Sequence, residues 1–308
     1  MWANPASTGA VVVGCDRSWE SQNAVVAATC EASRRGCELV LIAVVETQHF
    51  WPDGLARVGR VEADATLEAQ AAADLALAKV VAADPAVPVR TLIVKDLASP
   101  DLADLVRQAG LLVVGRHGAR GQGGFSLGTR CAELARDFRC PILVIHEEGR
   151  PSRSRFVPEG AVFAGMDTIG GAGAVLSVAV SEAVLRGMSL YVVHALPHGM
   201  DVDPIVIEKA WRRCLATLEA QFAADVPARL VITQDDPVRA LLHRVAPGDL
   251  LVVGTRGQGG MAGPVNGSVS MQILDQMTCD VLVIPQSSTA PVTMPSEPVH
   301  FASPALSR

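Results

Sequence analysis

The stretch "LLVVGRHGARGQGGFSLGTRCAE" runs from Leu111 to Glu133, and "LLVVGTRGQGGMAGPVNGSVSMQ" runs from Leu250 to Gln272. Each is an apolar run, a glycine-crowded connection and a Gly-Thr or Gly-Ser step. A short aliphatic run ending at glycine reads as a strand buried on both faces, as in a parallel sheet. The glycines keep matched intervals. Gly115 and Gly118 are followed after nine residues by Gly128 and Thr129; Gly254 and Gly257 are followed after nine by Gly267 and Ser268.

The echo extends outward from these copies. "GAVVVGCDRSWESQNAVVAATCEASRRGCELVLIAVVE" (Gly9–Glu46) parallels "GAVFAGMDTIGGAGAVLSVAVSEAVLRGMSLYVVHAL" (Gly160–Leu196) as apolar run, Asp, Ala-rich helix, Arg-Gly and second apolar run. In both halves a long helical stretch follows (Val61–Ala83; Pro204–Ala224), then a Val-rich run (Val89–Val94; Ala228–Ile232) and a short helix (Ser99–Ala109; Pro237–Val245). After the quoted strand and loop come a helix and a last strand, "CPILVIH" (Cys140–His146) or "CDVLVIP" (Cys279–Pro285). Gly36 and Gly187 are placed as helix C-caps.

This alternation predicts an α/β fold of two tandem, doubly wound open parallel sheets, about five strands each, with helices on both faces. Two copies of one unit are expected to pack about a pseudo-twofold axis as a dimer within one chain. Further self-association of the chain is compatible with that arrangement. The boundaries read as residues 1–147 for the first domain, 148–160 for a polar, proline-containing linker, 161–286 for the second domain and 287–308 for a Ser/Pro/Thr-rich tail. A length of 308 residues agrees, since one core rarely grows that large.

Composition narrows the function. Hydrophobic residues are 49% and charged ones 19%, which excludes a disordered chain, and a net charge of −6 without a basic block argues against nucleic acid as a partner. No apolar run approaches the ~18 residues of a membrane span, and the start lacks the charged and apolar regions of a secretory leader, so the expectation is a cytoplasmic protein. Seven cysteines with no C-x-x-C pair indicate reduced thiols, and the seven histidines, His117 included, show no ligand spacing, so no protein-held metal site is expected. Trp51 and Trp211 read as interdomain or interface packing.

The loop itself suits an anion. In open α/β sheets ligands bind beyond the carboxyl ends of the strands where strand order reverses. Glycines there let backbone N–H groups approach an anion. Gly128-Thr129 and Gly267-Ser268 then open helices whose unpaired amides and positive dipole ends favour phosphate. A glycine-rich connection with a Ser or Thr cap is also a common inert turn, and duplication copies inert turns as faithfully as sites.

The pattern G-x2-G-x9-G-[S/T], between a "LLVVG" strand and a helix leading to a "P-h-L-V-h" type strand, resembles the universal stress protein family. The likeness runs from about Ala10 to Ile284, as a tandem member, and implies that the two copies stand in for the homodimer of single-domain relatives by pairing their last strands. It implies ATP, carried with Mg²⁺, as the ligand, and a role as a nucleotide-dependent stress-response regulator. It implies that Asp16 and Asp167 contact the nucleoside and that Val44 and Val193, each near the end of a second strand, touch adenine. Gly115, Gly118, Gly128 and Thr129 would form the first phosphate loop, with Arg130 placed to pair with a phosphate. Gly254, Gly257, Gly267, Ser268, Val269 and Ser270 would form the second. The chain departs from the family pattern where Cys131 stands in place of a second hydroxyl, and where Arg17-Ser18 and Thr168-Ile169 follow the aspartates.

Catalytic motifs are missing. There is no G-x-x-x-x-G-K-[ST] loop and no G-x-S-x-G elbow, and "GQGGMA" (Gly257–Ala262) does not itself open a helix. The expectation is binding with slow or no hydrolysis rather than an enzyme. A scaffold of the same fold that binds a protein partner without nucleotide, and a weak ATPase, stay open as alternatives.

Overall fold

Aliphatic runs with no polar face can be satisfied only between two apolar layers, and in this chain the inner strands find them while the two edge strands stay half-exposed. The computed structural model describes residues 9–45, 58–95, 105, 108–116, 140–146, 160–166, 173–196, 204–222, 226–254 and 268–285. The first half contributes β1 (Val11–Gly14), α1 (Trp19–Arg35), β2 (Leu39–Val44), α2 (Val58–Ala83), β3 (Val89–Val94), β4 (Leu111–Gly115) and β5 (Ile142–Ile145). The second contributes β6 (Ala161–Met166), α3 (Gly173–Arg186), β7 (Ser189–Ala195), α4 (Pro204–Phe222), β8 (Ala228–Thr233), α5 (Pro237–Leu242), β9 (Leu250–Gly254), α6 (Ser268–Gln276) and β10 (Asp280–Ile284).

Helix ends follow local chemistry. Ser18 caps α1 by accepting the Ser21 N–H, and Asp236 caps α5 by accepting those of Val238 and Arg239. Gly36 (φ 62°) and Gly187 (φ 64°) take the left-handed conformation that closes α1 and α3. Beyond each, the N–H of Cys37 reaches Ala32 O (3.1 Å) and that of Met188 reaches Ala183 O (3.0 Å).

Alternate strand residues feed two layers. Val11, Val13, Leu39 and Leu41 pack with α1 and α2, and Leu190 and Val192 with α3 and α4; Val12, Val40, Phe163 and Leu251 face the opposite side, where α5 and α6 lie. Trp211 belongs to the first of these layers. It is fully buried on α4, its ring 5.5 Å from that of His194, so it is a core residue of the second half rather than an interface residue as its sequence position suggested. Trp51 lies outside the described residues, as do the tail from 287, residues 148–159 of the linker, and most of the short helix at Ser99–Ala109.

The strands form one ten-stranded sheet in the order β3-β2-β1-β4-β5-β10-β9-β6-β7-β8. The two five-stranded halves are each parallel, and β5 pairs with β10 antiparallel. The expected pairing of last strands is therefore present, and it fuses the two open sheets into one. At the seam Leu143 lies opposite Leu282, its own counterpart in the repeat, flanked by Val144 opposite Val281 and Ile142 opposite Val283. That self-matching pair marks the pseudo-twofold.

Charge crosses the same seam. Glu31 and Arg35 on α1 and Glu182 and Arg186 on α3 occupy equivalent positions in "EASRRG" and "EAVLRG". Arg35 pairs with Glu31 and, at 2.5 Å, with Glu182; Arg186 pairs with Glu182 (3.0 Å) and, at 2.8 Å, with Glu31. Arg34 adds a contact to Glu31 at 2.6 Å from a more exposed position. The repeated Glu-x-x-x-Arg looks in sequence like a pair of ordinary i,i+4 surface bridges. In the fold it is a buried quartet joining the halves.

Candidate functional site

Strand order reverses between β1 and β4 in the first half and between β6 and β9 in the second, so each half has its crevice at the carboxyl ends of those strands. Three sequence-derived residues of the first site come together there: Asp16 just past β1, Val44 ending β2 and Gly115 ending β4. Gly118, Gly128, Thr129 and Arg130 lie outside the described residues.

Asp16 is not the cap of α1; Ser18 is. One Asp16 carboxylate oxygen accepts the Ser18 N–H at 2.7 Å, while the Asp16 N–H donates to Ser21 Oγ at 2.8 Å. Ser21 Oγ in turn donates to Gly14 O at 3.4 Å. The strand exit and the first turn of α1 are thus laced by two serines, Ser18 and Ser21, which glycine counting did not single out. The signal was their S-x-x-S spacing around the helix start. Gly115 has a steric duty. A Cβ at this position would stand 2.9 Å from Glu20 O and 3.0 Å from Glu20 C, closer than backbone atoms tolerate, so only glycine lets β4 run against the start of α1.

In the second site Gly254 ends β9, and Ser268, Val269 and Ser270 form the first turn of α6. Ser270 is buried and its hydroxyl donates to Gly254 O at 3.0 Å. The residue read as a phosphate donor is therefore a clip between strand end and helix start. Val269 is half-buried against the α5/α6 layer. Asp167, Gly257 and Gly267 lie outside the described residues.

The register does not place Val44 and Val193 at equivalent positions of the two halves. Gly14 registers with Ile42 in the first half, and its repeat counterpart Gly165 registers with Val193 in the second. Val44 pairs onward with Val94 as Ala195 does with Thr233, and the next amides, of Val45 and Leu196, bond to Val94 O and Thr233 O. The counterpart of Val44 is thus Ala195, and Val193, two residues inward, is buried at 2% exposure in the α5/α6 layer. Apolar runs hide a two-residue slip, because it keeps every side chain on the same face.

Thiols near the site are quiet. Burial pushes Cys15, beside Asp16, up to about 12 with the neighbouring carboxylate adding to the effect, and it raises Cys140 to about 11 and Cys279 to about 12. Nucleophilic reactivity belongs to the thiolate. In the native chain at mildly alkaline pH these three cysteines are expected to stay unlabelled by a thiol–disulfide reagent and to react on unfolding. Mass spectrometry of the native chain showing rapid labelling at Cys15 would contradict this. Among the described residues no group of three or more His, Cys, Asp and Glu converges to hold a metal ion, and no helix is long and apolar enough to cross a membrane.

Known proteins agree with this architecture. The model of the universal stress protein family matches residues 8–146 and 161–285. A universal stress protein of Mycobacterium tuberculosis H37Rv is 29% identical over 92% of this chain and 100% of its own length. Another, from M. tuberculosis CDC 1551, is 30% identical over 91% of this chain and 97% of its own. Among solved structures, a universal stress protein from Archaeoglobus fulgidus superposes with a TM-score of 0.62 at 14% identity, covering 91% of this chain and 97% of that one, a likeness of fold. With the family match falling once on each half of the ten-stranded sheet, the chain belongs to the universal stress protein family as a tandem member.

Proposed function

We propose that this chain binds ATP, with Mg²⁺ carried on the phosphates, in one or both halves. In this reading it acts in the cytoplasm as a nucleotide-dependent regulator of the stress response rather than as a metabolic enzyme. The supporting observation is the clip in the second half. Ser270 Oγ on Gly254 O (3.0 Å) sets the first turn of α6 at the exit of β9, beside the β6/β9 switch point. There the amides of Ser268, Val269 and Ser270 have no intrahelical acceptor, and the helix dipole favours an anion. Such a donor set fits a phosphate chain. Mg²⁺ held chiefly by phosphates and water needs few protein ligands.

Equilibrium dialysis of the full chain against labelled ATP tests this. Bound ATP is expected, with Gly118→Val and Gly257→Val each removing the equivalent held by its own loop. A chain that retains no ATP overturns the reading.

A second reading has its own observation. Gly115 is required by packing against Glu20, and Ser270 is engaged by Gly254, so the fold needs both with or without a ligand. A protein-binding scaffold would keep them. It is selected if the melting temperature ignores ATP and rises with a protein partner. Phosphate release above buffer level that disappears in the glycine variants would instead identify a weak ATPase.

A further inference from the structure

The two ends of α6 belong to different halves of the molecule. Its first turn, Ser268 to Ser270, is clipped to Gly254 in the second site. Its last carbonyls are held from the first half. His146 Nε2 donates to Leu274 O at 2.8 Å, and an Arg116 guanidinium nitrogen donates to Asp275 O, with the Asp275 carboxylate 4.0 Å away. Helix-terminal carbonyls lack intrahelical donors, and cationic donors there satisfy both the hydrogen bonds and the negative end of the dipole. His146 is further anchored by its own N–H to Asp280 Oδ1 at 3.0 Å.

Arg116 is the residue after Gly115, inside the first glycine loop. Its backbone N–H is fixed to Ile145 O at 3.1 Å, its side chain is 29% exposed, and its Nε–H is buried with no acceptor among the described residues. The arrangement is not reciprocal in sequence. After the second "LLVVG" stands Thr255, and in the position of His146 stands Pro285, neither of which carries a cationic donor.

We propose, resting on the nucleotide reading above, that Arg116 couples the two sites. Phosphates in the first loop compete for the guanidinium through charge-assisted hydrogen bonds and draw it from the end of α6. The helix then loses a cap, and the first turn that forms the second cradle is held less firmly. Occupancy of one site weakens the other, and linkage makes the factor the same in both directions, of roughly fivefold or more.

The experiment is a cycle on the full chain titrated with Mg·ATP by calorimetry. Blocking the first loop with Gly118→Val is expected to tighten the second site by roughly fivefold or more relative to the doubly loaded wild type. In the Arg116→Ala background the same block leaves the second site unchanged. Arg116→Lys, which keeps the charge and loses the fork, is expected to fall between. A second readout needs no affinity: in a Gly257→Val chain, ATP speeds amide exchange at Leu274 to Met277 when Arg116 is present and not when it is alanine. Two occupied sites with a coupling factor below about twofold in the wild type, or exchange that ATP leaves unchanged, overturns the coupling alone. ATP binding to none of the variants overturns the nucleotide reading and the coupling with it.

Discussion

Replacing Glu31 with glutamine destabilises the folded chain by about 3–5 kcal/mol, the range for breaking a buried ion pair by removing one partner. Arg35, Glu31 and Glu182 have side chains 3%, 4% and 1% exposed, and that of Arg186 is 10% exposed, so the guanidinium groups left behind cannot turn to water. Denaturant unfolding measures the loss directly; a change below about 1 kcal/mol would mean that the quartet is solvated like a surface bridge. Exchanging all four residues for apolar ones of similar volume is expected to cost far less, because no buried charge is orphaned and Arg34, more exposed, turns to water.

Acid exposes the same quartet. Burial alone would push the Glu31 carboxyl up, but the guanidinium groups of Arg186, Arg35 and Arg34 outweigh it and hold the group down at about 2, from an ordinary 4.5. A carboxyl depressed on folding contributes stability that is complete above its unfolded value and lost as pH falls through the folded one. Stability should therefore decline from near pH 4.5 toward pH 2, and Glu31→Gln should flatten that limb. An unaltered acid limb in the variant would assign the decline to other carboxylates.

Gly115→Val carries the second large effect. The added Cβ would meet Glu20 O at 2.9 Å and Glu20 C at 3.0 Å, and both are helix backbone that cannot swing aside. Overpacking of this kind costs about 1–3 kcal/mol. It also pushes the first turn of α1, with its Ser18 and Asp16 contacts, away from β4, so the first site is expected to lose its ATP equivalent while the second keeps its own. Full stability together with two bound equivalents in the valine variant would show that α1 yields freely, which its packing against β1 and β4 argues against.

Much of this was legible before folding, and the boundary is physical. Strands β1, β2, β4, β5 and their repeats announce themselves because a run buried on both faces must be apolar throughout. The caps at Gly36 and Gly187 are equally local, as is the Gly-Ser step that opens α6. Val193 in place of Ala195 shows where locality ends: a two-residue slip keeps each side chain on its face, so the pattern fixes the face and leaves the register to pairing between strands. Ser270 shows the same for a polar group, since its type says that it can donate a hydrogen bond but not that Gly254 O receives it.

By itself, then, the sequence determined a duplicated α/β unit, the succession of strands and helices along each half and the spacing of its two glycine loops, all of which follow from side-chain period and backbone preference over a few residues. Only the tertiary structure decided which side chains meet where the halves join. Glu31 meets Arg186 across 155 positions and Arg116 meets α6 across 159. Contacts of that reach exist because β5 and β10 pair antiparallel about Leu143 and Leu282, and the geometry of that seam selects which charges are buried together and which helix end each half holds.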